Sequence, residues 1–103
     1  MDMMKMMGQL QESQRKVEEA KNKMQQEYIT EKSSDGSLEV TVSKAGRVKD
    51  VNIGQDLLQD NEQLADYLIL TLNKALEKAQ TAYDGELENI ARSSMPKLPG
   101  MGF

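Results

Sequence analysis

Apolar residues follow different rhythms along this chain, and each rhythm predicts an element. From about Met3 to Tyr28, Met3, Leu10, Val17 and Met24 recur at every seventh position, one stripe of a helix. The companion stripe, Met7, Gln14, Lys21 and Tyr28, is weaker. A coiled coil wants two apolar positions per heptad, so this seam is half-strength. The segment holds no Pro, its only Gly is Gly8, and Gln, Glu, Lys and Met are good helix formers. At about 1.5 Å per residue such a helix reaches about 40 Å. That is long for a small domain, so part of it is expected to project into solvent.

The rhythm then shortens. Tyr28-Ile29-Thr30 favours β structure and can begin a first strand. Glu31 to Gly36, EKSSDG, clusters turn formers and predicts a break. Leu38, Val40 and Val42 alternate with Glu39, Thr41 and Ser43, the mark of a half-buried strand. Lys44-Ala45-Gly46-Arg47 supplies a turn, and Val48, Val51 and Ile53 predict the next strand. The step from Val48 to Val51 breaks strict alternation, and a bulge near Lys49-Asp50 restores the phase. A sheet of two or three such strands needs a helix to pack on, and its edge has to be covered or paired.

The last rhythm is helical. Asp60 is the expected N-cap, with Gln63 completing a capping box. Leu64, Leu68, Leu72, Ala75, Leu76, Ala79, Ala82 and Tyr83 form one broad apolar face. Ile69 and Leu70 widen it until the stretch from Tyr67 to Leu72 is apolar nearly all round. That width predicts burial against two surfaces, the chain's own sheet and a partner subunit, with Leu68, Ile69, Leu72 and Leu76 at the dimer interface. Gly85 weakens the helix, but Leu87 and Ile90 keep its spacing. The expected class is α+β: a long N-terminal helix, a small antiparallel sheet of two to three strands and a long C-terminal helix. One domain is expected over residues 1–93, with a flexible tail over 94–103 that carries Pro96, Pro99, Gly100 and Gly102.

Composition narrows the function. At 103 residues the chain is small enough that oligomerisation is a common source of stability. Only Phe103 and Tyr28, Tyr67 and Tyr83 are aromatic, so the core is aliphatic. There is no cysteine and no histidine, which removes thiolate sites, disulfides and the commonest general base and metal ligand. No glycine loop of phosphate-binding form occurs. The acidic run Asp56, Asp60, Glu62 lacks the alternating ligands of a calcium loop, because Leu57-Leu58 stand among them. It reads as a helix start favoured by the dipole. No enzyme, metal, cofactor or small-molecule substrate is expected. No apolar run approaches the length of a bilayer span, which predicts a cytoplasmic protein without a membrane partner.

Net charge is −4, but its distribution matters more. Asp56, Asp60, Glu62, Asp66 and Glu77 outweigh Lys74 and Lys78 in the second half, whereas the first half is balanced. Two basic groups stand out: Arg15, Lys16, Lys21 and Lys23 on the first helix, with Lys5 upstream, and Lys44, Arg47 and Lys49 around the hairpin turn. Taken singly, each reads as a solvated face diluted by Glu18, Glu19 and Asp50. Two-fold symmetry doubles every cation and brings both patches to one duplex. Asn73-Lys74 is a third candidate. The methionine-rich N-terminus is also an adaptable surface for a protein partner, which keeps a non-enzymatic adaptor open as the alternative.

The order of these pieces resembles the YbaB/EbfC family of bacterial nucleoid-associated proteins. The matching pieces are the polar first helix, Asp35-Gly36, Leu38-Glu39-Val40-Thr41-Val42, Gly46 and Val48-Lys49-Asp50-Val51-Asn52-Ile53. Asp56-Leu57-Leu58, Asp60, Glu62, Leu64, Asn73-Lys74-Ala75 and the ending Leu98-Pro99-Gly100-Met101 complete them. The resemblance implies an intertwined α/β homodimer with helices projecting like tweezers. It also implies a nucleoid protein that binds double-stranded DNA with limited sequence specificity and affects nucleoid organisation and gene expression. The residues expected to meet DNA phosphates are Arg15, Lys16, Lys23, Lys44, Arg47 and Lys49, with Lys74 as an outlier.

Overall fold

The computed structural model describes residues 3–94, so the expected tail lies almost wholly outside the described residues. Its elements are α1 (Met3–Met24), β1 (Tyr28–Lys32), β2 (Leu38–Ser43), β3 (Val48–Ile53), α2 (Gln55–Leu58) and α3 (Asn61–Ser94). The first helix stops at Met24, four residues short of the sequence expectation, because Tyr28 is taken by β1. The short α2 was not foreseen; it occupies what reads as a plain connection.

The three strands form one antiparallel sheet in the order β1-β2-β3. In the centre, Leu38, Val40 and Val42 are fully buried. Residues paired across antiparallel strands share a face, so Val48, Val51 and Ile53 lie on the same side as these three. The ladder between β2 and β3 slips between Thr41 and Val42: Asp50 pairs with Thr41, and Val48 pairs with Val42. Lys49 is thus the extra residue of a bulge, which puts Val48 back in phase with Val51. In the β2–β3 turn the Gly46 N–H donates to Ser43 O at 2.9 Å, and Gly46 has φ 87°. That left-handed conformation is why glycine sits there.

α3 packs on β2 and β1, and its Ala75 and Ala79 join Leu38, Val40, Val42 and Leu57 in the core. The two alanines let the helix approach the sheet closely. Its C-terminal half runs beyond the sheet, where α1 packs against it. Ala20 and Met24 of α1 are buried, Val17 is half-buried, and Met3 to Leu10 are exposed. The heptad seam therefore closes only at the C-terminal end of α1. The whole molecule is drawn out to 67 × 26 × 15 Å.

Asp60 caps α3, accepting from the Gln63 N–H at 3.1 Å. The reciprocal half of the box does not form. The Asp60 N–H already donates to Leu57 O at 3.1 Å, and the Gln63 side chain donates to Tyr67 Oη at 2.9 Å. Tyr67 Oη in turn lies 3.4 Å from Asp35 Oδ2. Asp35 ties the β1–β2 turn together: its Oδ1 accepts from Ser33 Oγ at 3.0 Å, Ser37 N at 3.0 Å and Ser37 Oγ at 2.7 Å. Hydrogen bonds from the Ser37 hydroxyl and amide hold its carboxyl down at about 2. A depressed carboxyl stabilises the fold above its unfolded pKa and stops doing so as pH falls through its folded value. Between pH 4 and pH 2 the urea midpoint of the protein is therefore expected to fall. In Asp35→Asn, which keeps an acceptor oxygen, the midpoint should be lower at pH 7 and fall less across that window. Parallel pH profiles for the two proteins would contradict this role.

Candidate nucleic-acid interface

The two turns of the sheet lie at opposite ends of its strands and differ in charge. The β1–β2 turn is near the acidic start of α3, where Asp56, Asp60, Glu62 and Asp66 are exposed. The β2–β3 turn carries Lys44, Arg47 and Lys49, and α1 ends beside it. Glu27 organises this basic end. Its backbone oxygen accepts from Lys44 N at 2.8 Å. Its carboxylate meets Lys44 Nζ at 3.4 Å and Lys23 Nζ at 3.8 Å. Lys49 Nζ sits 3.9 Å above the centre of the Tyr28 ring, a cation–π contact. The bulge makes this contact by turning Lys49 out of the ladder. Lys23, Lys44, Arg47 and Lys49 are thus brought to one end of the sheet, where the paired helices leave it.

Arg15 and Lys16 lie about two turns up α1, and they differ. Arg15 is clamped: its guanidinium pairs with Glu12, with Nε to Glu12 Oε2 at 3.2 Å, and with Glu19 at 2.5 Å. The Arg15 hydrogen bond holds the Glu12 carboxyl below its usual value. The i,i+3 and i,i+4 spacings that build this clamp are visible in the sequence. Lys16 is exposed, as is Arg47, and neither has an ion-pair partner among the described residues. Lys16 and Lys23 are seven apart and so share a stripe, which runs along α1 to the basic end. Lys5 falls on the same stripe, eleven residues before Lys16.

Lys74 stands apart from this group. It lies on the flank of α3 that faces β1, 3.8 Å from Glu31, whose tighter partner is Lys78 at 2.7 Å. Asn73 is exposed and caps no buried group. Of the four expected interface residues, Leu68, Leu72 and Leu76 are half-buried and pack on the chain's own core, whereas Ile69 is 59% exposed. Among the described residues no cluster of acidic side chains could hold a metal ion, and no helix is long and apolar enough to cross a membrane.

A family model described as the YbaB/EbfC DNA-binding family matches residues 1–95. The chain belongs to that family. A nucleoid-associated protein of Flavobacterium johnsoniae is 48% identical over 101 residues, covering 98% of this chain and 95% of the relative. One from Akkermansia muciniphila is 30% identical over the full length of both. The crystal structure of an uncharacterized Helicobacter pylori protein superposes with a TM-score of 0.68 at 26% identity, covering 90% of this chain and 96% of that one. Membership places the chain in a DNA-binding, non-enzymatic family, and the two relatives named above are nucleoid-associated proteins. The helix–sheet–helix order is shared with the Helicobacter structure. Sequence reasoning singled out the hairpin cations but missed Glu27, which gathers two of the lysines. The Lys23 pair has i,i+4 spacing and was legible, whereas the Lys44 pair joins residues 17 apart and has no signal in local spacing.

Proposed function

We propose that this protein acts as a homodimer that binds double-stranded DNA through phosphate contacts, with low sequence specificity, and thereby influences nucleoid organisation and gene expression. Family membership supports DNA as the partner. The observation that carries the phosphate mechanism is the gathering of Lys23, Lys44, Arg47 and Lys49 at the end of the sheet where α1 and its stripe of lysines end. Cations neutralise phosphates and release counterions, which favours binding irrespective of sequence. One face of α1 carries Gln11, Gln14, Arg15 and Asn22, but Glu18 stands among them and Arg15 is tied to Glu12 and Glu19, so backbone and shape readout fits best.

The dimer follows from uncovered apolar surface. α3 covers β2 and β1, while Val48 and Val51 on β3 remain 49% and 37% exposed on the same face. Tyr67, Lys74 and Lys78 occupy the β1 flank of α3, so helical spacing turns Ile69, Leu72 and Leu76 toward the β3 flank. A second copy covering Ile69, Val48 and Val51 closes this gap. The exposed Met3, Met4, Met7 and Leu10 favour a second reading, in which α1 also docks a protein partner.

Two outcomes test the proposal. Lys16→Gln and Arg47→Gln should each weaken duplex retardation at low salt by roughly tenfold in the dimer, which loses two cations. Arg15→Gln should weaken it less, because its charge is already met by Glu12 and Glu19. Equal losses at Arg15 and Lys16, or no loss at Lys16 and Arg47, would rule out this assignment of contacts. Ile69→Glu should convert the dimer into a monomer by light scattering. Retention of the dimer mass would place the interface elsewhere.

A further inference from the structure

Among the described residues, two carboxylates each hold two lysines, and they hold them differently. Glu31 faces α3 from β1 with its side chain 11% exposed, and it meets Lys78 at 2.7 Å and Lys74 at 3.8 Å. Glu27 sits where the chain passes from α1 into β1, with its side chain 30% exposed. Its Oε1 lies 3.4 Å from Lys44 Nζ and its Oε2 lies 3.8 Å from Lys23 Nζ. Glu31 is tight and nearly enclosed, whereas Glu27 is loose and open to solvent. Ion pairs of the second kind contribute little to stability.

The fold at this corner is held by main chain instead. Lys44 N donates to Glu27 O at 2.8 Å, which ties the end of α1 to the hairpin. The turn after α1 is closed by Gln26 N to Lys23 O at 3.0 Å and Glu27 N to Met24 O at 3.4 Å. The carboxylate adds an electrostatic link. It joins a cation of the α1 stripe to a cation of the hairpin, the two groups assigned above to DNA phosphates. It joins them in the manner of a phosphodiester, with one negative charge and two oxygens, one toward each ammonium.

We propose that Lys23 and Lys44 form a ready-made site for one DNA phosphodiester, and that Glu27 occupies it as an internal surrogate until the duplex arrives. This inference rests on the phosphate reading above and adds to it a named site and its built-in competitor. On binding, the Glu27 side chain swings out to water and a phosphate takes its position between the two ammonium groups. In the free protein the carboxylate keeps the two lysines gathered against their mutual repulsion. It also holds affinity down, because both lysines reach the duplex already partly neutralised. Glu31 is excluded from such an exchange by its enclosure and its tight bond to Lys78.

The test is the affinity of the intact dimer for a duplex, read by fluorescence anisotropy across a range of salt. Glu27→Gln should bind about tenfold tighter than wild type at low salt and lose affinity more steeply as salt rises, because Lys23 and Lys44 now meet the duplex with their full charge. In a Lys44→Gln background the gain from Glu27→Gln should shrink to about threefold or less, since one lysine remains to be released. Asp50→Asn removes an exposed carboxylate of the same hairpin that has no ion-pair partner among the described residues, and should tighten binding by less than about threefold. An equal gain in Asp50→Asn, or a gain undiminished beside Lys44→Gln, would reduce Glu27 to background charge and overturn the proposal. Unchanged or weaker binding by Glu27→Gln would overturn it too, as would loss of the dimer mass or the urea midpoint, because the carboxylate would then be a support. Wild-type affinity that is flat with salt would remove the phosphate reading itself, and this site with it.

Discussion

The rest of the structure depends on one packing constraint: a single helix covers a three-stranded sheet. Leu38, Val40 and Val42 disappear beneath Ala75 and Ala79 of α3. Burying such side chains contributes about 1.5 to 3 kcal/mol each, and this row is the centre of the core. One helix spans about two strands, because helix diameters are about 10 Å and strands lie about 4.8 Å apart. β3 is therefore left with Val48 and Val51 exposed. The far half of α3 runs past the sheet, where, among the described residues, α1 packs against it. An elongated molecule with an open apolar flank follows from that geometry.

Charge is laid out along the same axis. The strand order puts one turn at the start of α3 and the other at the end of α1. Acidic side chains gather at the first end and basic ones at the second. A net charge of −4 is thus compatible with a DNA-binding family, because the acidic group of α2 and the start of α3 lies about one strand length from the hairpin cations, which outnumber Glu27 and Asp50 beside them. Local pairing then sorts the cations. Arg15 is neutralised by its own helix, Lys23 and Lys44 share Glu27, Lys49 rests on Tyr28, and Lys16 and Arg47 stay uncommitted.

Much of the fold was legible in the sequence because its signals are local. The alternation of Leu38 to Ser43 gave β2, the odd step after Val48 gave the bulge at Lys49, and Asp60 gave the start of α3. The capping box was legible only in half, because the Gln63 side chain has a better partner in Tyr67 one turn on. The end of α1 was overrun because Gln25 to Glu27 carry no breaker; the limit is set by Tyr28 pairing with Ser43, a tertiary demand. The site was less legible for the same reason. Basic residues are visible in a sequence, but the pairing of Lys44 with Glu27 and of Lys74 and Lys78 with Glu31 arises only when distant segments meet.

The central claim is that phosphate charge, not base sequence or apolar contact, drives binding to DNA. The most direct measurement is the affinity of the intact dimer for two unrelated duplexes across a range of salt concentrations. The account predicts nearly equal affinities that fall steeply and in parallel as salt rises, by about 0.9 log unit per tenfold increase in salt for each phosphate neutralised. Affinity that is flat with salt, or high for one duplex alone, would contradict it.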